Sequence, residues 1–217
     1  DETWMELPFV IGDRIGALAL GAASGQTVIG DSTTVLLYKM LRAALDAQSA
    51  RDPERVEIVV GRDDFPTDRY LVEGIAAERG ARVVWVEVDT ARGVDADSLR
   101  AAVGPRTAVV LLSHVSYRSG FLADGPELTA IAHRAGALVL WDLCHSAGSV
   151  PVELDAWNAD LAVGCTYKYL NGGPGSPAFA YLRREHQGVL RQPIQGWWSA
   201  ADIFAMGPQY EPAGDIR

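Results

Sequence analysis

Residues 160–175 read DLAVGCTYKYLNGGPG, and the fold turns on how this stretch is read. Its first half, LAVGCT, is apolar without polar alternation, which suits a strand covered on both faces, as in a mostly parallel sheet. Its second half sets one lysine, Lys168, between Tyr167 and Tyr169 and runs into a glycine-rich turn. A solvated lysine is not usually flanked by aromatics, and a core strand does not usually contain one. The amine therefore belongs at a strand end, facing something that needs it. The next apolar run, AFAYLRR (178–184), comes too soon for a parallel crossover and is predicted to pair antiparallel.

Working outward, RVEIVVG (55–61), ARVVWVEV (81–88), TAVVLLS (107–113) and ALVLWDL (137–143) repeat the strand pattern. Between these runs lie TDRYLVEGIAAERG, DADSLRAAVG and DGPELTAIAHRAG. Each has helical spacing, an N-cap candidate (Thr67, Asp95, Asp124) and a closing glycine. The opening residues, DETWMELPFVIGDRIGALA, read as a helix entered partway. Such alternation predicts an α/β layered fold, and with no repeat, low-complexity tract or linker, one domain is the economical reading. A chain of 217 residues, 48% hydrophobic and 22% charged, can bury one sizeable core. A net charge of −9 argues against nucleic acid or anionic membrane as partner. Cys144 and Cys165, 21 apart without a CxxC pattern, indicate neither a zinc site nor a disulfide framework and fit a reducing compartment. No apolar run approaches the ~20 residues that span a bilayer, and no signal peptide is visible.

In open α/β sheets, ligands gather at the carboxyl ends of the strands. Ser113 and His114 follow TAVVLL, Asp142 and then His145 follow ALVLW, and Thr166, Tyr167 and Lys168 follow LAVGC. An acid and an amine thus face one crevice; a plain buried salt bridge would look the same. GDSTTVLLYKMLRAAL reads as a turn, an N-cap at Ser32 or Thr33 and a helix, whose free N–H groups suit a phosphate but also an ordinary cap. Phe65, in DDFPTDRY, is a loop aromatic, and Asp68 is a further N-cap candidate. Together these parts match the needs of pyridoxal phosphate: a lysine for the aldehyde, a carboxylate for the ring nitrogen, donors for the phosphate and a lid for the ring.

SHVSYRSG (113–120), WDLCHSAG (141–148), YKYLNGGPG (167–175) and QGWW (195–198) closely resemble segments of the kynureninase family, and GDSTTV, DDFPTDRY and GPQYEP extend the likeness over the chain. The resemblance implies the fold-type-I large domain, a mostly parallel seven-stranded sheet with helices on both faces. It implies that residues 1–217 are the cofactor-binding large domain of a longer protein, without an N-terminal segment and a C-terminal small domain. It implies pyridoxal 5'-phosphate as cofactor, with Lys168 the lysine that bonds the aldehyde, Asp142 the partner of the pyridinium nitrogen and His145 its neighbour. By the same likeness Thr33, Thr34 and Tyr167 bind the phosphate, and Tyr167 also acts in proton transfer. Phe65 stacks on the ring, Asp68 and Ser113 contact the cofactor, and Trp197 reaches it near a subunit interface. The implied reaction is hydrolysis of L-kynurenine, or its 3-hydroxy form, to the anthranilate and L-alanine, through a lysine aldimine, a quinonoid and Cβ–Cγ cleavage. A cytoplasmic homodimer in tryptophan catabolism and NAD biosynthesis, taking a small amino-acid substrate and no metal, completes the expectation.

Cys144 stands where the family pattern has alanine and reads as structural. The nearest rival is a cysteine desulfurase or selenocysteine lyase of the same fold, which would carry histidines in place of Tyr167 and Phe65. A catalytically incomplete relic of the fold is a second alternative, and a nucleotide-binding domain is weaker, since no GxGxxG opens a helix. His133 and His186 read as surface residues, Trp4, Trp85, Trp157 and Trp198 as packing or interface groups, Trp141 as core, and His114 as a residue that could face the substrate.

Overall fold

The computed structural model describes residues 2–216. Apolar runs and helical segments alternate in it as the sequence predicts. The strands are β1 (Thr27–Gly30), β2 (Glu57–Gly61), β3 (Arg82–Val86), β4 (Thr107–Ser113), β5 (Leu138–Asp142), β6 (Leu161–Cys165) and β7 (Ala178–Leu182). The helices are α1 (Glu2–Ile15), α2 (Thr33–Arg51), α3 (Pro66–Arg79), α4 (Ala96–Ala102) and α5 (Gly125–Arg134). One seven-stranded sheet runs β1-β7-β6-β5-β4-β2-β3. β7 lies antiparallel between β1 and β6, and the β6-β5-β4-β2-β3 run is parallel throughout.

Because side chains alternate across a strand, two-sided burial divides each apolar run between two cores. Val59, Val110, Val139 and Trp141 enter one, against Leu99 of α4 and Leu128 and Ile131 of α5. Ile58, Val60, Val109, Leu111, Leu140 and Val163 enter the other, under Leu37 and Leu41 of α2 and Val72 and Ile75 of α3. Trp141, the largest of these, is fully buried, and its indole N–H donates to the Thr129 hydroxyl at 3.2 Å. Each such aliphatic side chain contributes about 1.5–3 kcal/mol on burial, so the two layers hold the strand ends in place.

Local signals explain most helix ends. Ser32 caps α2 and accepts from Val35 N–H; Asp124 does the same for α5 from Glu127 N–H. Asp95 caps α4 in a reciprocal box with Ser98. Helix α3 departs from expectation: neither Thr67 nor Asp68 caps it. Phe65 is the N-cap residue, Pro66 takes the first helical position, and Asp68 is carried inside the first turn, buried. Proline is preorganised for that position, and it moves the start two residues earlier. Helix α4 ends at Ala102 with Val103 as cap, one residue before the glycine expected to close it. Strand β1 has no counterpart in the sequence reading, being four residues long with β7 as its one sheet neighbour. Helix α1 lies so close to it that a Cβ on Gly12 would strike the Thr27 carbonyl.

His133 and His186 are not simple surface residues. Both present Nε2 at 2.8 Å to Asp160, one on each carboxylate oxygen, and Val139 N–H adds a third bond at 2.8 Å. Burial opposes ionisation of Asp160, but these three donors outweigh it and hold the carboxyl below its ordinary value. No helix among the described residues is long and apolar enough to cross a membrane.

Candidate functional site

Four adjacent strands, β2, β4, β5 and β6, end side by side, and the residues just past their ends converge. In the parallel register Ser113 stands opposite Asp142. The Asp142 carbonyl accepts from His114 N–H at 3.0 Å, and its carboxylate Oδ1 from Cys144 N–H at 2.8 Å. After β6, the segment carrying Thr166–Lys168 turns back: Gly172 N–H bonds the Thr166 carbonyl, and the Thr166 hydroxyl reaches Ser176. That turn brings Lys168 Nζ to 2.9 Å from His145 Nε2. The same ammonium lies 5.6 Å from the ring centroids of both Phe65 and Tyr167.

Opposite the lysine, three carboxyls crowd together. Asp142 is 4% exposed and Asp68 2%, and Asp64 completes the group at the end of β2. Asp64 accepts from Gly61 N–H at 2.9 Å. Burial, together with the negative charge of Asp142, pushes Asp64 up to about 7, against the opposing hydrogen bonds from Gly61 and Ser113. Asp68 is raised well above the ordinary carboxyl range by burial and by its neighbours Asp142 and Asp64, with Lys168 pulling the other way. A side-chain hydrogen bond between Asp68 and Asp142 works in the same direction, favouring the protonated form of Asp68. Asp68 Oδ2 is buried without a partner. His145 is lowered by burial and by the Lys168 charge, so it stays neutral and accepts from the ammonium.

The start of α2 joins this crevice through Thr33, whose hydroxyl lies 3.7 Å from Cys144 Sγ. The first N–H groups of a helix lack intrahelical acceptors. Asp31 just before it adopts a left-handed backbone (φ 48°) and is held by Lys39 at 2.6 Å. Phe65 keeps 38% of its surface exposed while its other side meets the Tyr117 ring edge-on at 5.4 Å. Tyr117 is in turn tied to Arg118 at 2.8 Å, and Arg118 to Asp63 at 3.2 Å.

Of the residues singled out from the sequence, Lys168, Tyr167, Asp142, His145, Phe65, Asp68, Ser113 and Thr33 come together. Thr34 is exposed on the first turn of α2, with no described contact to the cluster. Trp197 is 53% exposed and packs edge-on against Trp198 at 5.5 Å, with no described contact to Lys168. His114 does not face a crevice. It is 2% exposed, wedged edge-on between Trp157 at 4.8 Å and Trp141 at 5.9 Å, with Nδ1 unpartnered. Asp64 was missed, although its place four residues before Asp68 in DDFPTD was a usable signal. Tyr117 was missed for want of one. Among the described residues no cluster of three or more His, Cys, Asp or Glu side chains could hold a metal ion.

A mostly parallel α/β sheet, helices on both faces and a lysine–carboxylate crevice at the strand ends place the chain in the fold-type-I class. The chain belongs to the aminotransferase class-V family, whose profile matches residues 20–197. It is 46% identical over 209 residues to a kynureninase of Burkholderia pseudomallei, covering 96% of this chain and 49% of that protein. To a kynureninase of Pseudomonas fluorescens it is 45% identical over 216 residues, covering 98% and 50%. The chain thus spans about half the length of these curated relatives. Among solved structures, it superposes on a cysteine desulfurase of Thermococcus onnurineus with a TM-score of 0.81 at 21% identity, covering 99% of this chain and 52% of that one. On a cystine C-S lyase bound to cysteine persulfide the score is 0.79 at 23%, covering 99% and 55%.

Proposed function

We propose that this chain is the cofactor-binding half of a pyridoxal-phosphate enzyme that hydrolyses L-kynurenine, or its 3-hydroxy form, to the corresponding anthranilate and L-alanine. The observation that carries the reading is the pairing of Lys168 Nζ with neutral His145 across from the buried Asp142–Asp68 carboxyl pair. The residues fit the cofactor: a protonated ring nitrogen would give the carboxyl pair a donor in a crevice where Asp68 Oδ2 has none. Asp142 would hold that nitrogen, Phe65 and His145 would flank the ring, and Thr33, Thr34 and Tyr167 would take the phosphate. Ser113 and Asp68 complete the lining. Trp197, exposed here, would reach the site only from a homodimer interface.

When bound, pyridoxal phosphate supplies an aldehyde and an electron-accepting ring. Asp142, oriented by the Cys144 N–H and by its hydrogen bond with Asp68, would keep the ring nitrogen protonated. Lys168 Nζ would hold the aldehyde and, once free, would take the proton from the substrate Cα; His145 Nε2, 2.9 Å away, would steady that nitrogen by a hydrogen bond. Tyr167, half-exposed beside Lys168, would deliver a proton to the departing product. Two free thiols fit a reducing, cytoplasmic setting.

The test uses the full-length protein. Added pyridoxal phosphate should give the absorbance of a protonated imine, abolished by Lys168→Ala, and both kynurenines should be assayed by anthranilate fluorescence. Turnover of cysteine without release of anthranilate would replace this reading with that of a desulfurase. Cofactor binding without any turnover would mark a relic.

A further inference from the structure

The parallel register of β5 and β6 pairs Leu140 with Leu161, Trp141 with Ala162 and Asp142 with Val163, each 21 residues apart. It continues past the strand ends, where Leu143 N–H donates to the Val163 carbonyl at 2.8 Å. Cys144 and Cys165 are also 21 apart, so the register carried two residues beyond Asp142 sets them opposite one another. Cys165 Sγ lies 3.7 Å from the Cys144 carbonyl oxygen. Residues facing each other on neighbouring strands are about 4.8 Å apart, inside the roughly 4.4–6.8 Å over which a disulfide closes. Both thiols are free.

We propose that this pair is an oxidisable dithiol site, which hydrogen peroxide converts to an internal disulfide joining the ends of the strands that carry Asp142 and Lys168. The two sulfurs divide the work. Cys165 is favoured as thiolate by the hydrogen bond from the Cys144 thiol and then by the Lys168 charge, both acting against burial. Cys144 is held as thiol by the bond to Cys165, by burial and by the charge of Asp142. The Cys165 thiolate attacks one peroxide oxygen, the O–O bond breaks, hydroxide leaves and a sulfenic acid forms. The Cys144 sulfur then attacks the Cys165 sulfur, expelling hydroxide, which takes up the Cys144 proton as water. Two electrons pass from the thiols to one peroxide, giving one disulfide and two waters. Both cysteines are mostly buried, at 9% and 3% exposure, so the oxidant must be small and uncharged, as peroxide is.

This assignment does not depend on the proposed reaction, because its readout is the sulfur chemistry itself. The full-length protein is treated with hydrogen peroxide, and free thiols are alkylated in denaturant without reductant. The peptides carrying residues 144 and 165 are then weighed. A linked pair lighter by two hydrogens, cleaved by dithiothreitol, is the expected result. In Cys144→Ala, Cys165 should stop at a sulfenic acid that a dimedone probe captures. Over-oxidation of either cysteine in the wild type while the other remains alkylatable would overturn the proposal. So would two thiols that stay alkylatable at peroxide levels that oxidise them in the unfolded chain.

Discussion

Replacing His114 by phenylalanine should flatten the acid branch of the stability curve. The imidazole is 2% exposed between two indole edges, and Nδ1 has no partner. Burial lowers its pKa from 6.5 to about 4. Below about 6.5 the unfolded chain takes up a proton that the folded chain refuses until pH falls near 4, so acidification through this window favours unfolding. With those two values, lowering the pH from 7 to 5 removes about 2 kcal/mol of stability through this one residue. Phenylalanine keeps an aromatic ring against Trp141 and Trp157 but carries no proton and no orphaned nitrogen. Urea unfolding followed by tryptophan fluorescence at pH 7 and pH 5 gives the comparison. The variant should lose about 2 kcal/mol less than the wild type over that interval. Parallel losses in the two proteins would mean that His114 is hydrated or partnered when folded, and the argument from burial would fail.

Asp64→Asn should work in the opposite direction. The folded carboxyl holds its proton up to about 7, so its cost grows as pH rises from the unfolded value of 3.8, and the amide removes that cost. A stability gain of up to about 4 kcal/mol at pH 8, absent at pH 3.5, is expected by urea titration. Asp160→Asn removes the charge that His133 and His186 share and should cost about 3 kcal/mol, or roughly 6–12 °C of Tm by calorimetry. Since the folded pKa of Asp160 is depressed, its contribution is present above the unfolded value near 4 and lost as pH falls through the folded one. The variant's acid unfolding should therefore be shallower below that point, and an equal slope would refute the assignment. Phe65→Ala should weaken retention of pyridoxal phosphate about tenfold, the ~1.4 kcal/mol of a lost ring contact. Equilibrium dialysis measures this, and unchanged affinity would show that the ring does not face the cofactor.

Much of the architecture could be read from the chain because two-sided burial writes itself as uninterrupted apolar runs. TAVVLLS is strand β4 residue for residue. The short link before AFAYLRR leaves antiparallel pairing as the one geometry that reaches. What escaped lacked a local signature. TVIG is too short to declare itself, and its place depends on β7, about 150 residues away. The start of α3 was misplaced because Thr67 and Asp68 both read as caps, whereas Pro66 takes the first helical position and makes Phe65 the cap. In the site, Lys168, Asp142 and His145 were legible as polar residues placed where apolar runs stop. The burial of His114 was not, since nothing near it in sequence announces that Trp157 will close over it. Nor did the spacing of His133, Asp160 and His186 show that a turn after β7 would bring two imidazoles to one carboxylate.

The placement of β7 has a consequence for how the molecule comes into being on the ribosome. Strand β1, the first of the described strands in the chain, has no sheet neighbour until residues 178–181 emerge, because its hydrogen bonds run to that segment. The parallel strands between them can assemble as they are synthesised, each one after β2 beside a strand already present. Helix α1, seated on β1 at Gly12, must therefore travel unanchored with its strand while most of this chain is translated. Of the described strands, the earliest made is the last to find its seat, beside β7.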